Sequence, residues 1–320
     1  MFNPILVPLD GSLLAECALP HAIAIARAFD ARLVLLRVLD KNQASERAQL
    51  FDLVNWQINK TGARLYLEKT NARLKEFDLQ IETAILEGLV AESITEYAHS
   101  QGMKLIILSS HGHSGLSQWG ISSVTQKIIF GASTSMLVIR ARQPVPDELI
   151  QEEYKRIMVP LDGSRRAENV LPMATLLARF HKSRIHVVHV VTTPEMARQM
   201  PPAREDEELR ERIVSRNREE AVRYLDQVRC QSSLDGVDVQ THLLTSDNAA
   251  AALHELVEKE SIDMVALSAH GYSGYSQWPY GGMVNNFVLY SQVPLLIVQD
   301  LPAREAPSVA EMTPRERSKQ

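Results

Sequence analysis

Cysteine is nearly absent from this chain, with two in 320 residues, Cys17 and Cys230, one in each half. Two isolated thiols make neither a disulfide framework nor a zinc cluster, so the chain is expected to fold on its apolar core in a reducing, cytoplasmic compartment. Positive charge is not in excess either. Thirty-four Lys plus Arg stand against 39 Asp plus Glu, a formal charge of −5, and this leaves no global field to draw in a phosphate backbone. Nucleic acid is therefore not expected as a partner. No apolar run is long enough to span a bilayer, and the stretch up to Asp10 lacks the basic head and apolar core of a leader, so neither a membrane span nor a signal peptide is expected.

What remains is the composition of a globular protein, 45% hydrophobic and 23% charged. The length exceeds the roughly 250 residues at which a single core stops growing, which points to two domains. Repetition points the same way. The hexapeptide VPLDGS occurs at Val7 to Ser12 and again at Val159 to Ser164. SSHGHSG from Ser109 to Gly115 is echoed by SAHGYSG from Ser268 to Gly274, and each is followed by Ser-Gln-Trp, ending at Trp119 and Trp278. Two copies of one domain are expected, at residues 1–141 and 155–300, joined by a Pro-bearing charged linker, 142–154. The tail 301–320 has little periodic apolar content and is expected to be disordered.

Each copy alternates short apolar runs with helically spaced segments. In the first, strands are expected at Pro4–Leu9, Ala31–Leu39, Leu79–Ile85, Lys104–Ser110 and Ser135–Arg140, with helices at Leu14–Phe29, within Gln43–Phe77, at Val90–Gly102 and at Ser123–Phe130. The second copy repeats this order, with one helix expected over Glu168–Phe180 and a long charged one over Glu205–Val228. Near-continuous apolar strands between helices predict an α/β fold with a parallel sheet covered on both faces.

Ligands of such sheets sit beyond the carboxyl ends of the strands, where strand order reverses. Asp10 and Asp162 follow the first strand of each copy, and the Ser-x-His-Gly loops follow the fourth. A carboxylate suits ribose hydroxyls, and closely spaced glycines bring N–H groups towards an anion. Ser123 and Gln126 stand at capping-box spacing, and the free N–H groups of that helix start suit a phosphate. Asp-Gly-Ser is equally a turn and cap sequence, so a purely structural role for Asp10 and Asp162 stays open. His111 and His270 read as structural hydrogen-bonding groups. His186 and His189 share a strand without a visible third ligand, so no metal site is expected. Trp119 and Trp278 suit packing or a subunit contact better than stacking on a base, and Arg165 and Arg166 place a small basic spot beside the second site.

The VPLDGS strand end, the His-Gly-x-Ser-Gly loop after the fourth strand and the closing apolar strand, all duplicated, resemble the universal stress protein family in tandem form. The resemblance implies two Rossmann-like domains of the adenine nucleotide alpha hydrolase kind, each a five-stranded parallel sheet. It also implies pairing through the last strands, Met136–Arg140 beside Leu295–Gln299, with further homodimerisation as an option. In one subclass of the family it implies ATP or AMP, with Mg2+, held by the carboxylate after the first strand and by the motif Gly-x2-Gly-x9-Gly-Ser/Thr. Carried onto this chain, that motif falls on Ser109, Gly112, Ser122 and Ser123 in the first copy, and on Ser268, Gly271, Gly281 and Gly282 in the second. Val38 and Val190 take the adenine-side position. Two serines replace glycines in the first copy; in the second, one serine replaces a glycine and Gly282 stands where Ser or Thr is usual. Three functions follow as alternatives. One is a nucleotide-binding stress-response protein in which occupancy biases domain packing. Another is a family member that has lost the nucleotide and works through assembly and partner binding. The third is an enzyme, which the lack of a Gly-x4-Gly-Lys-Ser/Thr loop disfavours.

Overall fold

The computed structural model describes residues 2–40, 49–112, 121–141, 149–194, 204–231, 234–272 and 280–300, with helix residues 49–55 described by backbone alone. The first half runs β1 (Ile5–Pro8), α1 (Ala18–Phe29), β2 (Leu33–Asp40), α2 (Gln49–Leu74), β3 (Ile81–Gly88), α3 (Val90–Ser100), β4 (Leu105–Ser109), α4 (Ser123–Gly131) and β5 (Ser135–Ile139). The second runs β6 (Arg156–Pro160), α5 (Arg165–Glu168), α6 (Leu171–His181), β7 (Arg184–Thr192), α7 (Arg204–Arg229), β8 (Asp238–Ser246), α8 (Ala249–Lys259), β9 (Met264–Ser268), α9 (Gly282–Tyr290) and β10 (Leu295–Val298).

All ten strands form one sheet in the order β3-β2-β1-β4-β5-β10-β9-β6-β7-β8. Pairing within each half is parallel, and the halves meet where β5 and β10 run antiparallel, with Leu296 opposite Leu137. The two five-stranded sheets are thus one continuous sheet, and β5 and β10, which would otherwise be open edges, close each other. Period-two alternation divides the strands between two apolar layers. Ile5, Val7, Leu33 and Leu35 face one layer with α1 and α6, whereas Leu6, Val34 and Leu36 face the other with α3, α4, α8 and α9. The outer strands β3 and β8 are only half-buried and carry the mixed sequences IETAILEG and DVQTHLLTS.

The helix expected over Glu168–Phe180 is two helices. Ser164 caps the single turn of α5, and α6 starts afresh with Pro172 in its first turn, where a missing N–H costs nothing. Pro20 does the same in the first half, where a 3-10 turn, Ala15–Cys17, precedes α1. The charged helix α7 buries only Ala221, Leu225 and Val228, and its outer face carries i,i+4 pairs such as Arg204–Glu208 and Arg216–Glu220. Exposed pairs of this kind contribute a few tenths of a kcal/mol each. Residues 142–148 of the expected linker lie outside the described residues, as does the tail, 301–320. Residues 149–154 cross α1, with Glu152 N–H donating to the Pro20 carbonyl at 3.2 Å and Tyr154 fully buried. Among the described residues no helix is long and apolar enough to cross a membrane.

Candidate functional site

Strand order reverses between β1 and β4, and there the first half opens a cleft of about 770 Å3. Asp10, Val38, Ser109, Gly112, Ser122 and Ser123 all line it. The fold therefore gathers the six first-copy positions expected to meet a nucleotide, although Asp10 and Ser123 stand 113 residues apart in the chain.

One carboxylate oxygen of Asp10 builds the turn. Its Oδ1 accepts from the Ser12 N–H at 2.9 Å and the Ser12 hydroxyl at 2.6 Å, while Ser12 Oγ in turn accepts from Ala15 N–H. Gly11 takes φ +81, the left-handed value a glycine meets without strain. The other oxygen lies against Gly112, where any Cβ would collide with Asp10 Oδ2. The second half repeats this contact: a Cβ on Gly271 would collide with Asp162 Oδ2, which accepts from the Tyr272 N–H at 2.6 Å. Burial opposes the Asp162 charge, but hydrogen bonds from Ser164 and from Tyr272 N–H outweigh it and hold the carboxyl below its ordinary value. The turn reading of these aspartates is thus visible on one oxygen, while the other lies against the loop that follows the fourth strand of each half.

Ser122, not Ser123, is the N-cap of α4. Its hydroxyl accepts from Thr125 N–H at 3.1 Å, which displaces the Ser123–Gln126 capping box expected from spacing. Ser123 occupies the first helical position at the rim of the cleft. Ser109, in place of the family's first glycine, is buried and turned into its own loop: its hydroxyl donates to the His111 carbonyl at 2.6 Å and accepts from Cys17. Burial pushes the Cys17 thiol up to about 11, so it stays protonated. His111 Nδ1 meets Ser110 Oγ at 3.0 Å, and burial, then the nearby Arg140 charge, lower its pKa.

Among the cleft residues not singled out from the sequence, Arg37 and Trp56 stand out. Arg37 precedes Val38 on β2, and its guanidinium reaches back over Gly11 to the Leu9 carbonyl at 3.4 Å, beside the Asp10 charge. Trp56, on α2, lines the cleft, whereas Trp119 and Trp278 lie outside the described residues. The helix expected within Gln43–Phe77 contains Trp56, but nothing in the sequence says that it turns towards the strand ends.

The second half places Asp162, Val190, Ser268, Gly271, Gly281 and Gly282 at equivalent points but packs them differently. His270 Nδ1 pairs with Asp300 at 2.7 Å, and Asp300 is also held by Arg166 at 2.8 Å, so the basic spot expected beside this site is partly committed to the end of β10. Tyr280 is buried just before Gly281, the N-cap of α9, which supplies no side-chain cap. Val190 packs partly buried against the apolar layer. His189, at the position equivalent to Arg37, contacts the Leu161 carbonyl at 2.8 Å. It faces away from His186, whose ring instead meets His242 on β8 at 3.0 Å.

The universal stress protein family profile matches residues 1–140 and 153–299. A universal stress protein of Methanocaldococcus jannaschii is 29% identical over 142 residues, 44% of this chain and 83% of that protein. Universal stress protein YxiE of Bacillus subtilis is 28% identical over 149 residues, 44% of this chain and all of that protein. Among solved structures, a universal stress protein from Archaeoglobus fulgidus superposes over 93% of this chain and 99% of its own with a TM-score of 0.63 at 15% identity. A Pseudomonas aeruginosa protein of unknown function covers 93% of this chain and 92% of its own with a TM-score of 0.67 at 16% identity. Those two likenesses bear on the fold, and the two profile matches, one to each half, bear on descent: the chain belongs to the universal stress protein family, in tandem form.

Proposed function

We propose that the first half binds an adenine nucleotide, ATP or AMP with Mg2+, and that occupancy biases how the two halves pack. The observation that carries this is the cleft itself, whose volume lies in the range of small-ligand sites and whose two ends differ in chemistry. Val38, Leu39 and Ile94 offer an apolar wall for a base. Asp10 offers a carboxylate for ribose hydroxyls, and Gly112, lacking a Cβ, lets that carboxylate lie against the loop after β4. The start of α4, with Ser122 and Ser123, offers N–H groups and a hydroxyl to phosphates.

A route from the cleft to the seam between halves supports the second clause. Ser110, between the cleft residues Ser109 and His111, accepts at Oγ from Ala141 N–H at the end of β5, and β5 is the strand that joins β10. Next to it Arg140 donates to the Val288 and Ser291 carbonyls at the end of α9 in the other half. We assign the nucleotide the role of a signal rather than a substrate. We place the protein in the cytoplasm, which suits the unpaired thiols of Cys17 and Cys230.

Calorimetric titration and native mass spectrometry of the full chain with ATP and AMP, with and without Mg2+, test the proposal. The expected result is one nucleotide per chain, lost in Asp10→Ala and kept in Asp162→Ala. No binding at millimolar nucleotide overturns it in favour of assembly and partner binding, and loss in Asp162→Ala alone moves the site to the other half.

A further inference from the structure

We propose that His186, His242 and Glu260 form a binding site for a zinc-class divalent cation, at the end of the sheet opposite the nucleotide cleft. His186 is the third residue of β7, and its register partner on β8 is Gln240, so His242 lies two residues further along the same face. Glu260 closes α8, which packs over that face. The three side chains each bring one ligand atom to within 4.8 Å of the others. His186 Nδ1 and His242 Nε2 are 3.0 Å apart, with the rings nearly parallel at 12°. Two nitrogens each about 2.0–2.1 Å from a tetrahedral zinc stand about 3.3–3.4 Å apart, so only a small adjustment separates this pair from a chelating one.

His186 is 1% exposed, so the two rings meet away from bulk water. Two neutral imidazoles facing each other through His186 Nδ1 and His242 Nε2 share one proton between two lone-pair positions. A coordinated cation takes lone pairs from both rings and removes the need for a proton between them. The donor set, two imidazoles and one carboxylate, is one that zinc takes while keeping a fourth position for water. His242 and Glu260 are half-buried, which gives that position a way to solvent. Glu260 is the carboxylate whose charge reaches both rings. Of the cations nearby, Arg184 is paired with Asp238 and Arg156 donates to the Ser261 carbonyl, while Lys259 adjoins Glu260. A bound ion fastens the end of α8 to the outer strand β8, which has no strand neighbour on its far side among the described residues.

The test uses the full chain carrying Cys230→Ser, which removes an exposed thiol, stripped with EDTA and reloaded with ZnCl2. Retained metal is counted by mass spectrometry, affinity is read by calorimetry, and Co2+ replaces zinc to report a four-coordinate site in the visible spectrum. One equivalent of zinc is expected, with a raised unfolding temperature. Affinity falls by about tenfold or more in His242→Asn and in Glu260→Gln, both checked for native circular dichroism, and is unchanged in Asp10→Ala. No zinc retained at micromolar concentration, undiminished affinity in both site variants, or loss in Asp10→Ala overturns the site.

Discussion

Gly112 and Gly271 sit where a carboxylate touches backbone. At both, the requirement is space rather than a special φ, because a Cβ would overlap Oδ2 of Asp10 or Asp162. Gly112→Ala and Gly271→Ala are each expected to destabilise the protein by about 1–3 kcal/mol, measured by urea unfolding, since neither a helix-anchored aspartate nor a loop tied to a strand end moves freely. Gly112→Ala is also expected to abolish nucleotide binding in calorimetry, whereas Gly271→Ala leaves it intact. Loss of binding in both would mean that the substitutions act through general disorder. At this scale the sequence was informative where a motif is local. Asp10, Gly112 and their second-half counterparts stand in short repeated strings whose placement beyond the strand ends follows from the apolar runs before them. Arg37 was not legible, because nothing in LLRVLD says that the guanidinium folds back over Gly11. His242 was not legible as the partner of His186, since 56 residues and a strand register lie between them.

At the scale of one element, α4 separates two readings of the same dipeptide. Ser122 caps the helix through Thr125 N–H, and its hydroxyl also reaches Thr125 Oγ1 at 2.9 Å. Ser122→Ala is therefore expected to cost about 1 kcal/mol in thermal or urea unfolding, and Ser123→Ala close to nothing. Equal losses would restore the capping-box reading. Strands and helices were largely legible because buried parallel strands are apolar without interruption: β4, β5, β9 and β10 are buried along their whole length. The break between α5 and α6 was missed because MATLLARF continues the apolar period of the residues before it, and only Pro172 and the Ser164 cap mark the restart. The rise of the ten strands into one sheet came from the family resemblance; apolar closing strands alone leave the choice of neighbour open.

The whole molecule is held together by more than the β5–β10 ladder, and its second seam carries a titratable group. Tyr154, at the end of the segment that crosses α1, is fully buried between the halves. Its hydroxyl meets His21 Nδ1 on α1 at 2.8 Å, and its ring packs edge-on against His181 of α6, 5.1 Å between centroids. Burial raises the Tyr154 hydroxyl well above its ordinary value, so it stays a donor, and His21 must then be neutral at Nδ1 to accept. Burial lowers His21 from 6.5 to about 4, although part of the residue reaches solvent. A histidine whose folded value is depressed resists protonation only while folded. Its contribution is complete above pH 6.5, falls as pH drops towards 4, and changes no further below that. The loss attributable to His21 is at most about 3 kcal/mol, and less in so far as its solvent edge hydrates the cation. Burial also lowers His111, His181, His186 and His242, so the informative quantity is a difference. His21→Gln keeps an acceptor for the Tyr154 hydroxyl at every pH. Its unfolding free energy should gain on wild type by that amount between pH 6.5 and 4 while running parallel to it above. A difference that stays constant through the whole range would show that protonation of His21 does not open this seam.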